Sequence, residues 1–245
     1  MSKIPVSLQL WSLRDAIQQD FAGTMQSLAQ IGFDGVETAG YGNLSAADAA
    51  RAVAAAGLRC SGMHVGWQVL QSDLPRVMTE ARLFGTSDII CPHYPSELLT
   101  SAAAFRHLGG ELDSLGARLL AHGFTFHYHN HDFELTQIEG RLGLDWLLDA
   151  SRPAHVRSEV DVYWVHRGGK NPAEFIREQG RRIELLHLKD EAELGSGPVD
   201  FPAVFTAAAG IGAVRWHVAE IERFNHAPLE SVRRSFDQLR QWTRS

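Results

Sequence analysis

The sequence predicts a single-domain α/β protein, a (β/α)8 barrel that spans residues 1–245. Eight short apolar stretches alternate with helical segments, and each strand–helix unit takes about 30 residues. Five of the helices end at a glycine just before a strand, as short helix–strand connections require. An open doubly wound sheet would place a glycine-rich turn after the first strand, and Leu10–Asp15 contains no glycine.

The individual elements follow from apolar runs, helix caps and breakers. The predicted strands are Val6–Trp11, Val36–Thr38, Arg59–His64, Asp88–Cys91, a strand that begins at Phe124, Val156–Val162, Ile183–Lys189 and Val214–Glu222. Eight helices are predicted. They lie over Phe21–Ile31, between Ser45 and Gly57, from the residue after Gln68 to Phe84, over Ala102–His122, over Leu142–Ala150, from Pro172 to Gly180, over Phe201–Ala209 and from Pro228 towards Trp242. Ser12–Asp15 and Val65–Gln68 are predicted as a turn and a loop.

The composition is that of an ordinary globular protein. The 245 residues are 44% hydrophobic and 21% charged, and the net charge of -6 argues against a protein that grips phosphate backbones. We expect Cys60 and Cys91 to be reduced thiols in the core. The sequence shows no secretory signal and no apolar run of roughly 20 residues. We therefore expect a cytoplasmic protein that binds neither nucleic acid nor membrane.

The densest set of ligand-type side chains follows the fifth strand. His127, His129 and His131 occupy alternate positions, and Glu134 comes three residues later. Alternate side chains of a strand point the same way, so the three imidazoles are predicted to share one face. This pattern is typical of a metal site or an acid–base site.

The ends of the other strands carry similar groups, and in a barrel those ends meet at one mouth. The groups are Glu37, His64, His93, His129 with His131 and Glu134, Glu159 with Asp161, His187 with Lys189 and Asp190, and Glu220 with Glu222. Unpaired charges in such a mouth cost several kcal/mol each, which a divalent cation would offset.

Strand alternation narrows the predicted metal ligands. Asp161, His187 and Glu220 fall on the inner faces of three neighbouring strands, and a fourth ligand is expected from the fifth strand. A mixed set of histidine and carboxylate ligands suits one Mn²⁺, Mg²⁺, Co²⁺ or Zn²⁺ ion, and its hardness favours the first three.

Five short motifs occur in order at barrel spacing. They are GFDGVE (Gly32–Glu37), YHNHDFE (Tyr128–Glu134), EVDVYW (Glu159–Trp164), HLKD (His187–Asp190) and WHVAEIE (Trp216–Glu222). Through them nearly the whole chain resembles the sugar phosphate isomerase/epimerase family, which has xylose isomerase-like TIM barrels and is related to AP endonuclease family 2.

The resemblance implies a metal held by Asp161, His187, Glu220 and a carboxylate of the fifth strand. The epimerases place that carboxylate three residues before an asparagine, where this chain has His127. Glu134 or His129 could instead provide the fourth ligand, and the sequence favours neither.

The resemblance also implies a reaction on a keto-sugar or sugar phosphate. A carboxylate removes the proton next to the carbonyl, and the metal stabilises the resulting enediolate. Glu220 and Glu134 would carry protons, and Lys189 would stabilise the developing oxyanion. The residues expected to bind the sugar are His64, His93, His131, Trp11, Trp67 and Glu37.

Several alternatives stay open. The same enolate could expel a leaving group, as in a dehydratase or lyase that acts on an inosose or a 3-keto-glycoside. A sugar-binding barrel without catalysis is a further alternative. A DNA phosphodiesterase of the endonuclease type is disfavoured, because that family needs a histidine three residues after Asp161 and this chain has Trp164. Tryptophans near the rim would also suit a homodimer.

Overall fold

The computed structural model describes residues 4–243, and in that range eight parallel strands close into a barrel. The barrel strands are β1 (Val6–Gln9), β2 (Gly35–Thr38), β3 (Arg59–His64), β4 (Asp88–Cys91), β5 (Thr125–His129), β8 (Arg157–Asp161), β9 (Ile183–Leu188) and β10 (Trp216–Ala219). A separate antiparallel hairpin contains β6 (Gln137–Ile138) and β7 (Arg141–Leu142). The predicted fold class is confirmed, while the predicted domain limits at 1 and 245 lie outside the described residues.

Eleven α-helices of the described range connect the strands. They are α1 (Arg14–Gln19), α2 (Phe21–Ile31), α3 (Ala46–Ala55), α4 (Trp67–Ser72), α5 (Leu74–Phe84), α6 (Ala102–Leu120), α7 (Gly143–Asp149), α8 (Val162–Arg167), α9 (Pro172–Gln179), α10 (Phe201–Ile211) and α11 (Pro228–Trp242). Between residues 4 and 243 none of them has the length and apolar content needed to cross a membrane. The five glycines predicted to end helices all have positive φ, which glycine adopts without strain.

The prediction placed every barrel strand correctly and was wrong at several ends. The first strand stops at Gln9 because the Gln9 side chain accepts a hydrogen bond from the Trp11 N–H (3.1 Å), which starts a 3₁₀ turn. The last strand stops at Ala219, so Glu220 and Glu222 lie beyond it. The short helices α1 and α8 and the hairpin were not predicted, since each is too short to show a helical or alternating period. The single helix predicted between Gln68 and Phe84 is divided at Asp73 into α4 and α5.

Apolar side chains fill two separate spaces. The larger core lies between the barrel and the helices, and the smaller cluster consists of the buried residues Ile90, Leu185, Trp216 and Val218. Along β9, Leu185 comes two residues before His187, and along β10, Val218 comes two residues before Glu220. This small cluster therefore separates the polar groups at the mouth from those at the opposite end of the barrel.

Candidate active site

A cavity of about 390 Å³ opens at the carboxyl ends of the strands. Its lining residues are Trp11, Ala39, His64, Pro92, His93, His129, His131, Trp164, Lys189, Glu220 and Glu222. Of the residues predicted to bind substrate, His64, His93, His131 and Trp11 belong to this lining. The cavity therefore lies where a (β/α)8 barrel carries its active site.

Asp161, His187 and Glu220 come together beside the cavity, where Glu220 belongs to the lining and Asp161 and His187 are fully buried next to it. Asp161 is the last residue of β8 and pairs in register with His187 of β9, while Glu220 follows β10 directly. One ligand-type atom of each residue lies within 4.8 Å of the other two, and all three residues are buried. His187 Nδ1 is 3.2 Å from Glu220 Oε2. The structure thus brings together the three residues that strand alternation selected.

The Asp161 carboxylate is only partly satisfied. Its Oδ1 accepts a hydrogen bond from the Trp164 N–H (2.9 Å), which caps α8. Its Oδ2 is buried and has no hydrogen-bond partner in the described part of the chain. Burial raises the pKa of Asp161 to about 7, although the Lys189 charge opposes this shift. A buried, unpaired carboxylate oxygen is costly for a fold, and a bound cation would remove that cost.

Glu220 has the opposite electrostatic character. Burial raises its pKa, but the Lys189 charge and the hydrogen bond from His187 outweigh burial and lower the pKa to about 2. Lys189 Nζ lies 3.5 Å from Glu220 Oε2 and 2.9 Å from Glu222 Oε2. Glu220 is therefore an anion throughout the neutral pH range, at the edge of the cavity.

The second ring nitrogen of His187 faces a different pair of carboxylates. His187 Nε2 lies 2.8 Å from Glu37 Oε1 and 3.4 Å from Glu159 Oε2. Burial lowers the pKa of His187, but the charges of Glu159 and Glu37 outweigh burial and hold it well above the ordinary value. A proton on Nε2 is thus fixed by acceptors inside the barrel, which leaves Nδ1 to face Asp161 and Glu220.

Glu159 is a central residue to which the sequence analysis gave no role. Its Oε2 lies 2.7 Å from His64 Nε2 and 3.1 Å from His129 Nδ1, and the residue is fully buried. Burial lowers the pKa of His64, but Glu37 and Glu159 outweigh burial and raise it to about 9. Strand alternation could have indicated this role, since Glu159 precedes Asp161 by two residues and therefore lies on the same inner face of the strand.

Glu37 does not reach the cavity, although it was predicted to bind substrate. Its side chain is fully buried beneath the cavity floor. Its Oε1 accepts a hydrogen bond from Gln9 Nε2 (2.7 Å) and lies 2.9 Å from His64 Nε2. Burial raises the pKa of Glu37, but the His64 and His187 charges outweigh burial and lower it well below the ordinary value. Glu37 orients histidines instead of facing the cavity.

The fifth-strand position distinguishes Glu134 from His129. Glu134 accepts hydrogen bonds from the Tyr128 O–H (2.7 Å) and from the His131 N–H (2.8 Å). Tyr128 belongs to the core between barrel and helices, so the 3₁₀ turn at Phe133–Leu135 directs Glu134 to that side of β5. Our prediction of Glu134 as a ligand and base is therefore not supported by its position.

His129, the other fifth-strand candidate, lines the cavity. Its ring centroid is 4.6 Å from that of His187. Burial lowers the pKa of His129 well below its ordinary value, so the ring is neutral at pH 7. Because Nδ1 lies next to the Glu159 carboxylate, the neutral ring carries its proton on Nδ1. The lone pair of Nε2 is then available to coordinate a metal ion.

The tryptophans at the cavity differ from those predicted to bind the sugar. Trp67 does not line the cavity, and it packs edge to face on Tyr94 in a neighbouring groove. Trp164, which was not assigned a role, lines the cavity because α8 begins directly after Asp161. Lys189 Nζ lies 4.7 Å from the centre of the Trp164 ring, a distance suited to a cation–π contact.

His127 belongs to a second charged cluster at the opposite end of the barrel. It shares a strand face with His129, but its Nε2 lies 2.8 Å from Asp88 Oδ1. Arg215 binds both Asp88 and Glu184, and Arg157 Nε lies 3.0 Å from Glu184 Oε1, so the two carboxylates of this cluster already face two cations. This cluster therefore suits a structural role better than a metal site.

Comparison with known proteins locates the fold among solved structures. Two structures of a sugar phosphate isomerase/epimerase from Parabacteroides distasonis match with TM-scores of 0.85 and 0.88. The first is 24% identical and the match covers 98% of this chain and 94% of that one; the second is 22% identical, with 97% and 98% covered. An AP endonuclease of family 2 from Brucella melitensis matches at 14% identity and a TM-score of 0.76, covering 94% of this chain and 97% of the other.

These solved structures confirm a (β/α)8 barrel as the fold of this chain. No protein-family model and no curated protein sequence matches the chain. At sequence identities this low the shared fold does not assign an activity, because one barrel fold supports many chemistries. The case for a function therefore rests on the side chains at the mouth.

Proposed function

We propose that this protein is a divalent-metal-dependent isomerase or epimerase of keto-sugars or sugar phosphates. The observation that carries the proposal is the convergence of Asp161, His187 and Glu220, together with the unpartnered buried oxygen of Asp161. Asp161, His187 and Glu220 would hold one ion through two oxygens and one nitrogen, and His129, whose ring centroid lies 4.6 Å from that of His187, is the proposed fourth ligand. Such a set suits Mn²⁺, Co²⁺ or Zn²⁺, and Mg²⁺ with additional water ligands.

A bound divalent cation would polarise the carbonyl of the sugar and offset the negative charge that develops when the neighbouring proton leaves. Glu220 is ionised at neutral pH and would accept that proton. Burial lowers the pKa of Lys189, but the charges of Glu220 and Asp161 outweigh burial, so Lys189 remains a cation that can stabilise an oxyanion. The protonated Glu220 would return the proton to the neighbouring carbon in an isomerisation, and His93 of the cavity lining would supply a proton to the opposite face in an epimerisation.

The cavity lining fits a polyhydroxylated ligand. Imidazoles and carboxylates line its floor and can exchange hydrogen bonds with hydroxyl groups. Trp11 and Trp164 add apolar faces against which a sugar ring can pack. The published names of the Parabacteroides structures point to the same substrate class and support the proposal without deciding the sugar.

Metal content and proton exchange test the proposal. We expect one divalent ion per chain after incubation with Mn²⁺, and loss of that ion in Asp161→Asn and His187→Asn. His127→Asn is the matched control, because His127 is an equally buried barrel histidine beside a carboxylate at the other end. A panel of keto-sugars in D₂O should show metal-dependent incorporation of deuterium next to the carbonyl.

The outcomes separate the related reactions. A rearranged sugar with incorporated deuterium supports an isomerase or epimerase, whereas an unsaturated product would identify a dehydratase or lyase. Failure to bind a divalent ion, or exchange that is unaffected by removal of the ion, would overturn the proposal as stated.

A further inference from the structure

A second groove lies directly beside the candidate active site. Its volume is about 500 Å³, and its lining residues are Gly66, Trp67, Gln68, Val69, Gln71, Pro92, His93, Tyr94, Pro95 and Leu98. Pro92 and His93 also line the mouth cavity, so the two spaces share a wall. A ligand held in the mouth cavity can therefore extend over this wall into the groove.

The groove differs from the mouth cavity in charge. Among its lining residues, which all belong to the described range, there is no Asp, Glu, Lys or Arg. The mouth cavity, by contrast, is lined by Lys189, Glu220 and Glu222. A groove without charged groups favours an uncharged occupant, because a charged group there would lose hydration without gaining a partner.

The groove wall also carries aromatic and apolar surface. The rings of Trp67 and Tyr94 meet edge to face, with centroids 5.6 Å apart. Leu98 belongs to the 3₁₀ turn at Ser96–Leu98, and 56% of its surface is exposed. Exposed apolar side chains beside packed aromatic rings are typical of a site for a planar apolar group.

We propose that this groove binds an aromatic substituent of the substrate, so that the substrate class is an aromatic glycoside whose sugar ring already carries the ketone. This inference rests on the proposed function of the mouth cavity, where the sugar ring would bind. Proton removal next to a ring ketone does not require a free anomeric carbon, so a glycoside is compatible with the proposed chemistry.

Matched pairs of glycosides test the groove. Methyl and phenyl glycosides of glucose, galactose and xylose would be compared by isothermal titration calorimetry with the Mn²⁺-loaded protein. We expect the phenyl compound of at least one pair to bind about tenfold more tightly, a factor that corresponds to roughly 1.4 kcal/mol. Leu98→Glu places a charge at the groove and should return the ratio of the two affinities to about one.

Leu83→Glu is the matched control, since Leu83 is similarly exposed (50%) on α5 and does not line the groove. Its phenyl-to-methyl ratio should equal that of the wild type. Equal binding within every pair, or a ratio that Leu98→Glu leaves unchanged, would overturn the groove as a subsite. The groove would also be overturned as a subsite if no glycoside binds to a protein that still exchanges deuterium into keto-sugars. That result would leave the proposed function intact. If neither exchange nor binding occurs, both proposals fall.

A second copy of this chain is the competing occupant of the groove. Sedimentation of the wild type and of Leu98→Glu distinguishes it. A dimer that dissociates on this substitution would mean that the groove is an interface between chains, and would overturn the subsite.

Discussion

His187 presents each of its two ring nitrogens to a different set of carboxylates. Nδ1 faces Glu220, whereas Nε2 is held by Glu37 and Glu159 inside the barrel. The sequence predicted the outward contact, because alternation places His187 on the inner face beside Asp161 and Glu220. It could not predict the inward contact, because the distance between Glu37 and His187 depends on how the barrel closes across 150 residues of chain.

The role of Glu159 leads to a specific expectation. Glu159→Gln keeps the size of the side chain but removes the charge that orients His64 and His129. Under the proposed function we expect Mn²⁺ affinity or proton exchange to fall by roughly 10- to 100-fold in a folded protein. Calorimetric Mn²⁺ titration and exchange rates measure both, with Glu184→Gln in the Asp88 cluster at the opposite end of the barrel as control. Wild-type values in Glu159→Gln would show that Glu159 only fills space.

His217 provides a pH-dependent prediction away from the mouth. Both of its ring nitrogens are buried without a partner in the described chain, and burial lowers its pKa to about 4. An unfolded histidine has a pKa of about 6.5. As the pH falls from 7 to 4, the unfolded chain therefore takes up a proton that the folded chain does not, and the free energy of unfolding should decrease by about 2–3 kcal/mol.

His217→Leu should remove this contribution. Urea unfolding at pH 7 and at pH 4.5 would then show a smaller decrease in stability for the variant than for the wild type. The comparison of the two pH values cancels any change in packing against Phe205, whose ring centroid is 5.1 Å from that of His217. Identical pH dependence in both proteins would contradict the prediction.

At the scale of single elements, α6 depends on a close approach of its backbone to the neighbouring chain. A Cβ atom on Gly116 would lie 2.0 Å from the His155 carbonyl oxygen, which no packing allows. Gly116→Ala should therefore lower the free energy of unfolding by about 2 kcal/mol or more. Gly110 is on the same helix with open space around it, so Gly110→Ala should stabilise by roughly 0.5–1 kcal/mol. Chemical denaturation measures both, and equal effects would disprove the explanation.

An ion pair between Asp88 and Arg215 lies at the amino-terminal end of the barrel. Burial raises the pKa of Asp88, but hydrogen bonds from His127 and Arg215 outweigh burial and lower it. Arg215→Met leaves Asp88 short of a partner and should reduce the free energy of unfolding at pH 7 by about 2–3 kcal/mol. Arg51→Met breaks the exposed pair with Asp48 on α3 and should change it by less than 1 kcal/mol. Similar losses in the two variants would refute a structural role for the Asp88 cluster.

The elements also show where prediction from sequence stops. The strands β8, β9 and β10 were predicted with the correct inner faces, because a period of two is visible in the sequence. The position of Glu134 was not, since a single 3₁₀ turn after β5 decides whether its carboxylate reaches the mouth or Tyr128. A turn of three residues has no periodic signal.

Over the whole molecule, the barrel closure was predictable and the depth of each side chain was not. Eight strand–helix units and their order follow from the spacing of apolar runs and glycines. Whether a group lines the mouth, as Glu220 does, or lies beneath it, as Glu37 does, depends on strand stagger around the closed sheet. Strand stagger is a property of the pairing and is not encoded in one strand.

The proposed metal would connect distant parts of the chain and should stabilise the whole fold. Its candidate ligands come from β5, β8, β9 and the segment after β10. At a Mn²⁺ concentration of about 100 times the Kd we expect roughly 2.7 kcal/mol of added stability, or about 5–10 °C in Tm. Calorimetry should show this shift in the wild type and in His127→Asn, and no shift in His187→Asn. A shift of equal size in His187→Asn would contradict the assigned ligands.

The small apolar cluster of Ile90, Leu185, Trp216 and Val218 gives the barrel two independent ends. Among the described residues, no hydrogen bond or ion pair joins the Asp88–Arg215 pair to the Asp161, His187 and Glu220 group, and sites that share no partners usually act independently. Substitutions at Asp88 or Arg215 and substitutions at the mouth should then be additive. Residues at the mouth can consequently change during evolution, or be redesigned in the laboratory, without weakening the ion pairs at the amino-terminal end of the barrel.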